Sequence, residues 1–295
     1  MDMKIGIIGL GLIGGSLGRA IKKKTRHTVF ACDNDSAAML KGALLNAYDE
    51  ELTAENATEL DVLISAVYPS AFESAVAVFL PLLKSGAIVL DSGGNKRGAV
   101  AIMRKMSEKR DDLHFFGAHP MAGREFSGVA HSTPGLFENS TVLLVPLGAP
   151  IEALSSVKRL FLDFGCEGAV ITTAEEHDRI ISYTSQLAHI VSGAYIKNDI
   201  AAEHYGFSAG SFRDMTRVAR LNPDMWTELL LENRGNLIEN LDIFAARINE
   251  YRNALAEGDA GELKRLLTEG SDMKVRVESN RRQKLSARIE GKREE

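Results

Sequence analysis

The stretch Lys4-Ile5-Gly6-Ile7-Ile8-Gly9-Leu10-Gly11-Leu12-Ile13-Gly14-Gly15-Ser16 joins an apolar strand-like run to a helical pattern that ends in Lys22, Lys23 and Lys24. At the join the glycines fall in the spacing G-x-G-x-x-G, which restricts the segment to a strand, a tight turn and a helix. Gly9 permits the turn, Gly11 lets a backbone approach a pyrophosphate, and Gly14 lets the helix pack closely on its strand, so a diphosphate can sit at the helix N-terminus. A second apolar run, Thr28 to Cys32, ends in Asp33, and 33 − 14 = 19 residues separate that carboxylate from the third glycine. This is close to the roughly 20 expected of an acid that binds a ribose 2′-hydroxyl. A carboxylate there repels a 2′-phosphate, and no basic side chain follows before Lys41, so the segment predicts NAD rather than NADP. The candidate cofactor contacts are Gly9, Gly11, Leu12, Ile13, Gly14 and Asp33, with Ala66 at the end of a third apolar run and Lys96 after a fourth.

Strand-like runs recur at Lys4-Ile8, Thr28-Cys32, Val62-Ala66, Ile88-Leu90, His114-Ala118, Val142-Val145 and Ala169-Thr172, mostly separated by helical patterns such as Ala71-Leu83 and Gly98-Lys109. That alternation predicts a doubly wound α/β nucleotide-binding domain with a parallel sheet. After Thr172 strand signals stop, and Thr173 with Glu176 makes a capping-box pair at the start of a helical pattern running to about Ala202. The expected division is therefore 1–172 and an all-α domain over 173–295. A second long helix is expected from Asn222-Pro223, carrying Trp226, Leu230, Leu237, Leu241, Phe244, Ile248, Tyr251 and Leu255 at three- and four-residue steps. Pairing of that seam between two chains predicts a homodimer, and an internal core is the other reading.

With 35 basic and 40 acidic residues the net charge is −5, which excludes a broad nucleic-acid footprint. Cys32 and Cys166 form neither a metal spacing nor a disulfide framework, so no metal is expected. No apolar run reaches membrane-spanning length and no signal-peptide pattern is present, so a cytoplasmic protein acting on a small molecule is expected, with no membrane or nucleic-acid partner.

Ligands of open α/β sheets bind beyond the carboxyl ends of the strands. His119 follows such a strand and opens the loop Pro120-Met121-Ala122-Gly123-Arg124-Glu125-Phe126-Ser127-Gly128. It either takes a proton near neutral pH or merely caps the strand. In the helix after Thr172, Ile180, Thr184, Leu187, Val191 and Ala194 form the expected packing stripe, while Asp178, Ser182, Ser185, His189 and Ser192 form a polar one that is solvated or lines a cleft. Arg213, in Ser208-Ala209-Gly210-Ser211-Phe212-Arg213-Asp214, is either a carboxylate clamp or part of a surface network with Asp214 and Arg217. The Arg281 to Arg293 end reads as a solvated tail.

Taken together, the glycine turn, His119-Pro120-Met121-Ala122-Gly123 with Glu125 and Ser127-Gly128, the His177-Asp178 pair, His189, and Phe212-Arg213-Asp214 with Thr216-Arg217 resemble the prephenate/arogenate dehydrogenase family. The resemblance implies a nucleotide-binding domain followed by a helical dimerisation domain, and oxidative decarboxylation of a cyclohexadienol in the tyrosine pathway. It makes His119 the catalytic residue at the ring hydroxyl and Arg213 the partner of the ring carboxylate. His177 and His189 would line the substrate pocket with Glu125 at its entrance, and Gln186, standing where relatives often carry a histidine, would also contact the substrate. Gly94, in Asp91-Ser92-Gly93-Gly94-Asn95-Lys96, occupies the place of a serine usual in the family. Either a neighbouring hydroxyl or water replaces that serine, or the backbone there needs glycine. The competing readings are a β-hydroxyacid dehydrogenase, whose helix lysine Lys197 would mimic but whose asparagine is Ala201 here, and a non-catalytic NAD sensor.

Overall fold

A computed structural model describes residues 2–291, with side chains through residue 280. Eight strands, β1 (Lys4–Ile8), β2 (Thr28–Cys32), β3 (Glu50–Glu51), β4 (Val62–Ser65), β5 (Ile88–Asp91), β6 (His114–Pro120), β7 (Thr141–Pro146) and β8 (Gly168–Ile171), form one sheet in the order β3-β2-β1-β4-β5-β6-β7-β8. The first six run parallel, the doubly wound arrangement expected of alternating strands and helices. The sheet departs from an all-parallel one at β7, which pairs antiparallel with β6 and carries β8 parallel to itself. Apolar runs mark strands but carry no direction, so this reversal was not predictable from them.

Seven helices accompany the strands or follow them closely: α1 (Leu12–Lys24), α2 (Ser36–Leu44), α3 (Ala54–Ala57), α4 (Pro69–Phe79), α5 (Arg97–Ser107), α6 (Ile151–Asp163) and α7 (Ala174–Ile181). Because strand side chains alternate between faces, successive residues serve two cores. Ile5, Ile7, Val29, Ala31, Val62 and Ile64 pack on one face, while Ile8, Phe30, Leu63 and Val89 pack on the other. Burial on both faces is what near-continuous apolar strands require.

After β8 the chain is helical: α7, a π-type turn over Ser182–Leu187, α8 (Ala188–Tyr195), α9 (Gly210–Thr216), α10 (Pro223–Glu232), α11 (Arg234–Glu257) and α12 (Ala260–Gly291). By compactness the chain divides into Met1–Leu237 and Ile238–Glu295, so the helices after residue 172 are shared between the two units. In the second unit Ala254 and Leu266 are buried, and the Tyr251 hydroxyl donates to the Leu266 carbonyl at 3.0 Å. The Arg281 to Arg293 tail has its side chains outside the described residues.

Two expectations for the helices are corrected. The single helix from Asn222-Pro223 is broken at Asn233, whose side chain turns inward, is buried, and donates to the Asp178 carbonyl at 2.8 Å and to Gln186 Oε1 at 2.9 Å. Residue 233 lies three after Leu230 and four before Leu237, on the seam itself, where an amide must find partners once buried. The two stripes after Thr172 are also inverted. Asp178, Ser182 and Ser192 are buried, while of the supposed packing stripe only Leu187 is, with Thr184 and Ala194 exposed and Ile180 42% exposed. Asp178 is drawn inward by the N–H groups of Lys96 and Arg97, Ser192 is buried with its hydroxyl unpartnered among the described residues, and the π-type turn brings Gln186 rather than Ser185 into the interior.

Candidate functional site

At the end of β1, Gly9 adopts φ +93° and its N–H donates to the Cys32 carbonyl at 2.8 Å. A Cβ at Gly14 would stand 1.9 Å from the Gly9 carbonyl oxygen, so the helix approaches the strand as closely as a glycine allows. Gly11 caps α1 without a side-chain bond and has open space where a Cβ would point. The first-turn N–H groups of Leu12, Ile13 and Gly14 therefore stay available to an anion. Asp33 follows β2, accepts from Leu10 N–H at 2.6 Å through Oδ2, and accepts from Asp35 N–H at 2.9 Å through Oδ1. Ala66 closes the opposite wall, its N–H donating to the Ile8 carbonyl at 2.8 Å. An open glycine backbone, a helix start and a fixed carboxylate fit the diphosphate and adenosine ribose of NAD.

His119 lies on β6 itself. Parallel pairing with β5 ends at Asp91↔Gly117, and antiparallel pairing with β7 carries β6 on through His119↔Leu143 to Pro120. The half-buried histidine thus stands two residues past the parallel edge, at the end of the sheet where β1 opens into its glycine turn. Its Nδ1 is 2.8 Å from His177 Nε2, and His177 Nδ1 is 2.7 Å from Asp178 Oδ1. Asp178 also accepts from Lys96 N–H at 2.8 Å and Arg97 N–H at 3.0 Å, where α5 begins. Burial holds the His119 imidazole well below its ordinary pKa, helped by the Lys96 charge and by His177. Burial likewise lowers His177, against the hydrogen bond it donates to Asp178. For Asp178, burial works upward but is outweighed by hydrogen bonds from His177, Arg97 and Lys96, which leave it below the usual carboxylate range.

Three expected site residues are corrected by their burial. Lys96 is fully buried and its ammonium is paired with Asp91, so it presents no surface to a cofactor; its charge acts on the histidines and its N–H on Asp178. Gln186 is 2% exposed, with its amide committed to Asn95 Oδ1 and to Asn233 rather than to a ligand. His177, with no exposed side chain, stands behind His119 instead of lining a pocket. The others lie nearer the surface. His189 donates through Nδ1 to the Ser185 carbonyl at 2.8 Å and lies against Trp226 with ring centroids 4.1 Å apart and planes tilted by 35°. Glu125 pairs with Arg217 at 3.1 Å. Arg213 is exposed on α9, and no hydrogen bond or ion pair joins it to His119 among the described residues.

Sequence reasoning missed the buried network of Asn95, Glu232 and Asn233. Asn95 Nδ2 donates to the Leu229 carbonyl at 2.8 Å and to Glu232 Oε2 at 3.0 Å. Burial raises the Glu232 carboxyl, Asn95 opposes this, and Asp178 and Asp91 add to it. Asn233 on an apolar seam was the one visible signal.

Gly94 has no left-handed φ, so a glycine-only backbone does not explain it. A Cβ there would meet Leu229 Cδ2 at 3.2 Å and Cδ1 at 3.4 Å, which places methyl groups against this position. Gly94→Ser is expected to fold and to bind NAD, while overpacking against Leu229 lowers stability by about 1–3 kcal/mol. Urea denaturation with cofactor titration checks both.

A family model for the prephenate dehydrogenase nucleotide-binding domain matches residues 17–171, and a model for the prephenate dehydrogenase dimerization domain matches residues 173–269. The chain belongs to the prephenate dehydrogenase family. Similar proteins include the cyclohexadienyl dehydrogenase of Zymomonas mobilis, 32% identical over 86% of this chain and 89% of that protein. The prephenate dehydrogenase of Lactococcus lactis is 30% identical over 93% of this chain and 77% of that protein. Among solved structures, Aquifex aeolicus prephenate dehydrogenase with hydroxyphenyl propionate and NAD+ superposes with a TM-score of 0.82 at 25% identity, covering 94% of this chain and 99% of that one. Membership of this family makes the chain an oxidoreductase. No described helix is long and apolar enough to cross a membrane.

Proposed function

We propose that the chain is a cytoplasmic, NAD-dependent prephenate dehydrogenase of tyrosine biosynthesis that converts prephenate to 4-hydroxyphenylpyruvate. The observation that carries this reading is the half-buried His119, fixed past the parallel edge of the sheet with a buried imidazole behind it. Bound NAD, which the turn of Gly9, Gly11 and Gly14 and the Asp33 carboxylate would hold, would supply the acceptor for hydride from the hydroxyl-bearing ring carbon. His119 draws the hydroxyl proton, the ring carboxylate leaves as carbon dioxide with its bonding electrons passing into the ring, and the proton returns to the phenolic oxygen. Aromatisation drives the reaction, so the protein supplies orientation and a base within reach.

Arg213 supplies the charged partner of the ring carboxylate in this reading, with His189 and the Glu125–Arg217 pair bordering the substrate. Arg213→Ala is expected to raise the KM for prephenate by removing a charged hydrogen bond worth about 1.5–3 kcal/mol, leaving NAD affinity nearly intact. Unaltered substrate kinetics would return Arg213 to the surface network.

Arogenate is the second reading, drawn from the resemblance to the prephenate/arogenate dehydrogenase family and compatible with likeness to the Zymomonas cyclohexadienyl dehydrogenase. Reduced-nicotinamide absorbance with prephenate, arogenate and 3-hydroxyisobutyrate offered in turn separates these activities. Prephenate turnover is expected, and turnover of 3-hydroxyisobutyrate alone overturns the reading. A homodimer completes it, supported by the dimerization-domain match and by Ile180, Tyr183 and Tyr195, which are 42%, 63% and 48% exposed on the outward face of the helices after β8. Sedimentation equilibrium tests that assembly.

A further inference from the structure

We infer that Asp178, acting through His177, decides which nitrogen of His119 is free to take a proton. The inference rests on His119 being the base proposed above. The argument begins at the carboxylate, which has acceptors only. Oδ1 receives the Lys96 N–H and faces His177 Nδ1 at 2.7 Å, and Oδ2 receives the Arg97 N–H. His177 Nδ1 must therefore carry its hydrogen. A neutral imidazole has one N–H, so His177 Nε2 is a bare acceptor. It lies 2.8 Å from His119 Nδ1, which must then be the donor. Neutral His119 is left with its lone pair on Nε2, the nitrogen not engaged by His177.

The opposite arrangement fails at each joint. A lone pair on His177 Nδ1 would face the carboxylate, and a hydrogen on His177 Nε2 would turn His119 into the Nε2–H tautomer, which cannot accept a proton there. His177 and Asp178 are 0% and 2% exposed at their side chains, so water does not compete for these contacts. The charges facing the pair are the buried Lys96 ammonium, which disfavours a second proton on either ring, and Asp91, which is paired with Lys96. When His119 Nε2 takes the proton, its Nδ1–H still points at His177, and the Asp178 carboxylate lies one ring further on to balance the new charge. The same carboxylate caps the start of α5 through Lys96 and Arg97. Asp178 is thus a positioning residue that ties the tautomer of the base to a helix N-terminus.

The test is nitrogen NMR of the NAD-bound enzyme labelled with 15N-histidine, with the His119 signals identified by their loss in His119→Asn. At neutral pH His119 is expected to show a protonated Nδ1 and an unprotonated Nε2. Asp178→Leu removes the acceptor that faces His177 Nδ1, and should shift His119 towards the Nε2–H form and lower kcat by about 100-fold or more, with the substrate KM little changed, whereas Asp178→Asn can keep an oxygen at the Oδ1 position and with it the His177 contact. A wild-type His119 already in the Nε2–H form overturns the inference, as does an Asp178→Leu enzyme that keeps both tautomer and turnover. Should Asp178→Leu not fold, the wild-type spectrum alone decides. An enzyme inactive on prephenate and arogenate would undo the proposed reaction while leaving the tautomer measurement standing, so the two failures remain separate.

Discussion

His119→Asn is expected to lower prephenate turnover by about 100- to 10,000-fold, the usual loss for a group that moves a proton in the transition state. NAD affinity should be nearly unchanged, because the contacts proposed for the cofactor's diphosphate and ribose are at Gly9 to Gly14 and Asp33, and His119 is on a different strand. Asparagine keeps a polar side chain of similar reach, so the variant should fold and preserve the β6–β7 ladder. Steady-state kinetics beside calorimetric NAD titration separates the two quantities. An active variant with an unaltered pH profile would remove His119 from the reaction.

Lys96→Met should act by another route. It leaves the Asp91 carboxylate buried without its cation, and breaking such a pair typically costs about 3–5 kcal/mol. That is a large share of the roughly 5–15 kcal/mol by which a domain is stable, so the urea midpoint should fall steeply. A second readout carries its own sign. Lys96 depresses the His119 pKa, so in whatever fraction folds its removal should move the acidic limb of the pH–rate profile to higher pH. If Lys96 instead served the cofactor, the loss would appear in NAD affinity with the midpoint unchanged.

These two residues also show what could be read in the sequence. His119 was singled out because its position after an apolar run and before a glycine-punctuated polar loop is a local pattern. Lys96 was misplaced because its burial depends on Asp91, on Gly117 of the neighbouring strand, and on helices far along the chain, none of which a local pattern records. The parallel strands, the glycine turn and Asp33 were legible for the same local reason. Two-residue β3 is too short to leave a periodic signal. The inverted helix faces are a different failure: polar spacing identified the stripe, but only the N–H groups of Lys96 and Arg97 explain why Asp178 turns inward, and only the Asn95 and Asn233 side chains why Gln186 joins it. His177 was noticed as half of a pair, and its place behind His119 follows from a contact spanning 58 residues.

The extension of β6 has a consequence for how this enzyme can diverge. Because antiparallel pairing with β7 carries the strand through His119 to Pro120, the proposed base is anchored by a ladder and not by the loop that begins at Met121. Residues 121–140 form a long excursion between two paired strands and hold Glu125, which reaches Arg217. Substitutions and length changes in that excursion can reshape the rim around a ring substrate without tilting the imidazole, since strand-borne groups hold their geometry better than loop-borne ones. Recognition and proton transfer are thereby assigned to separate mechanical parts, and a change of substrate is available to this scaffold at little cost to its chemistry.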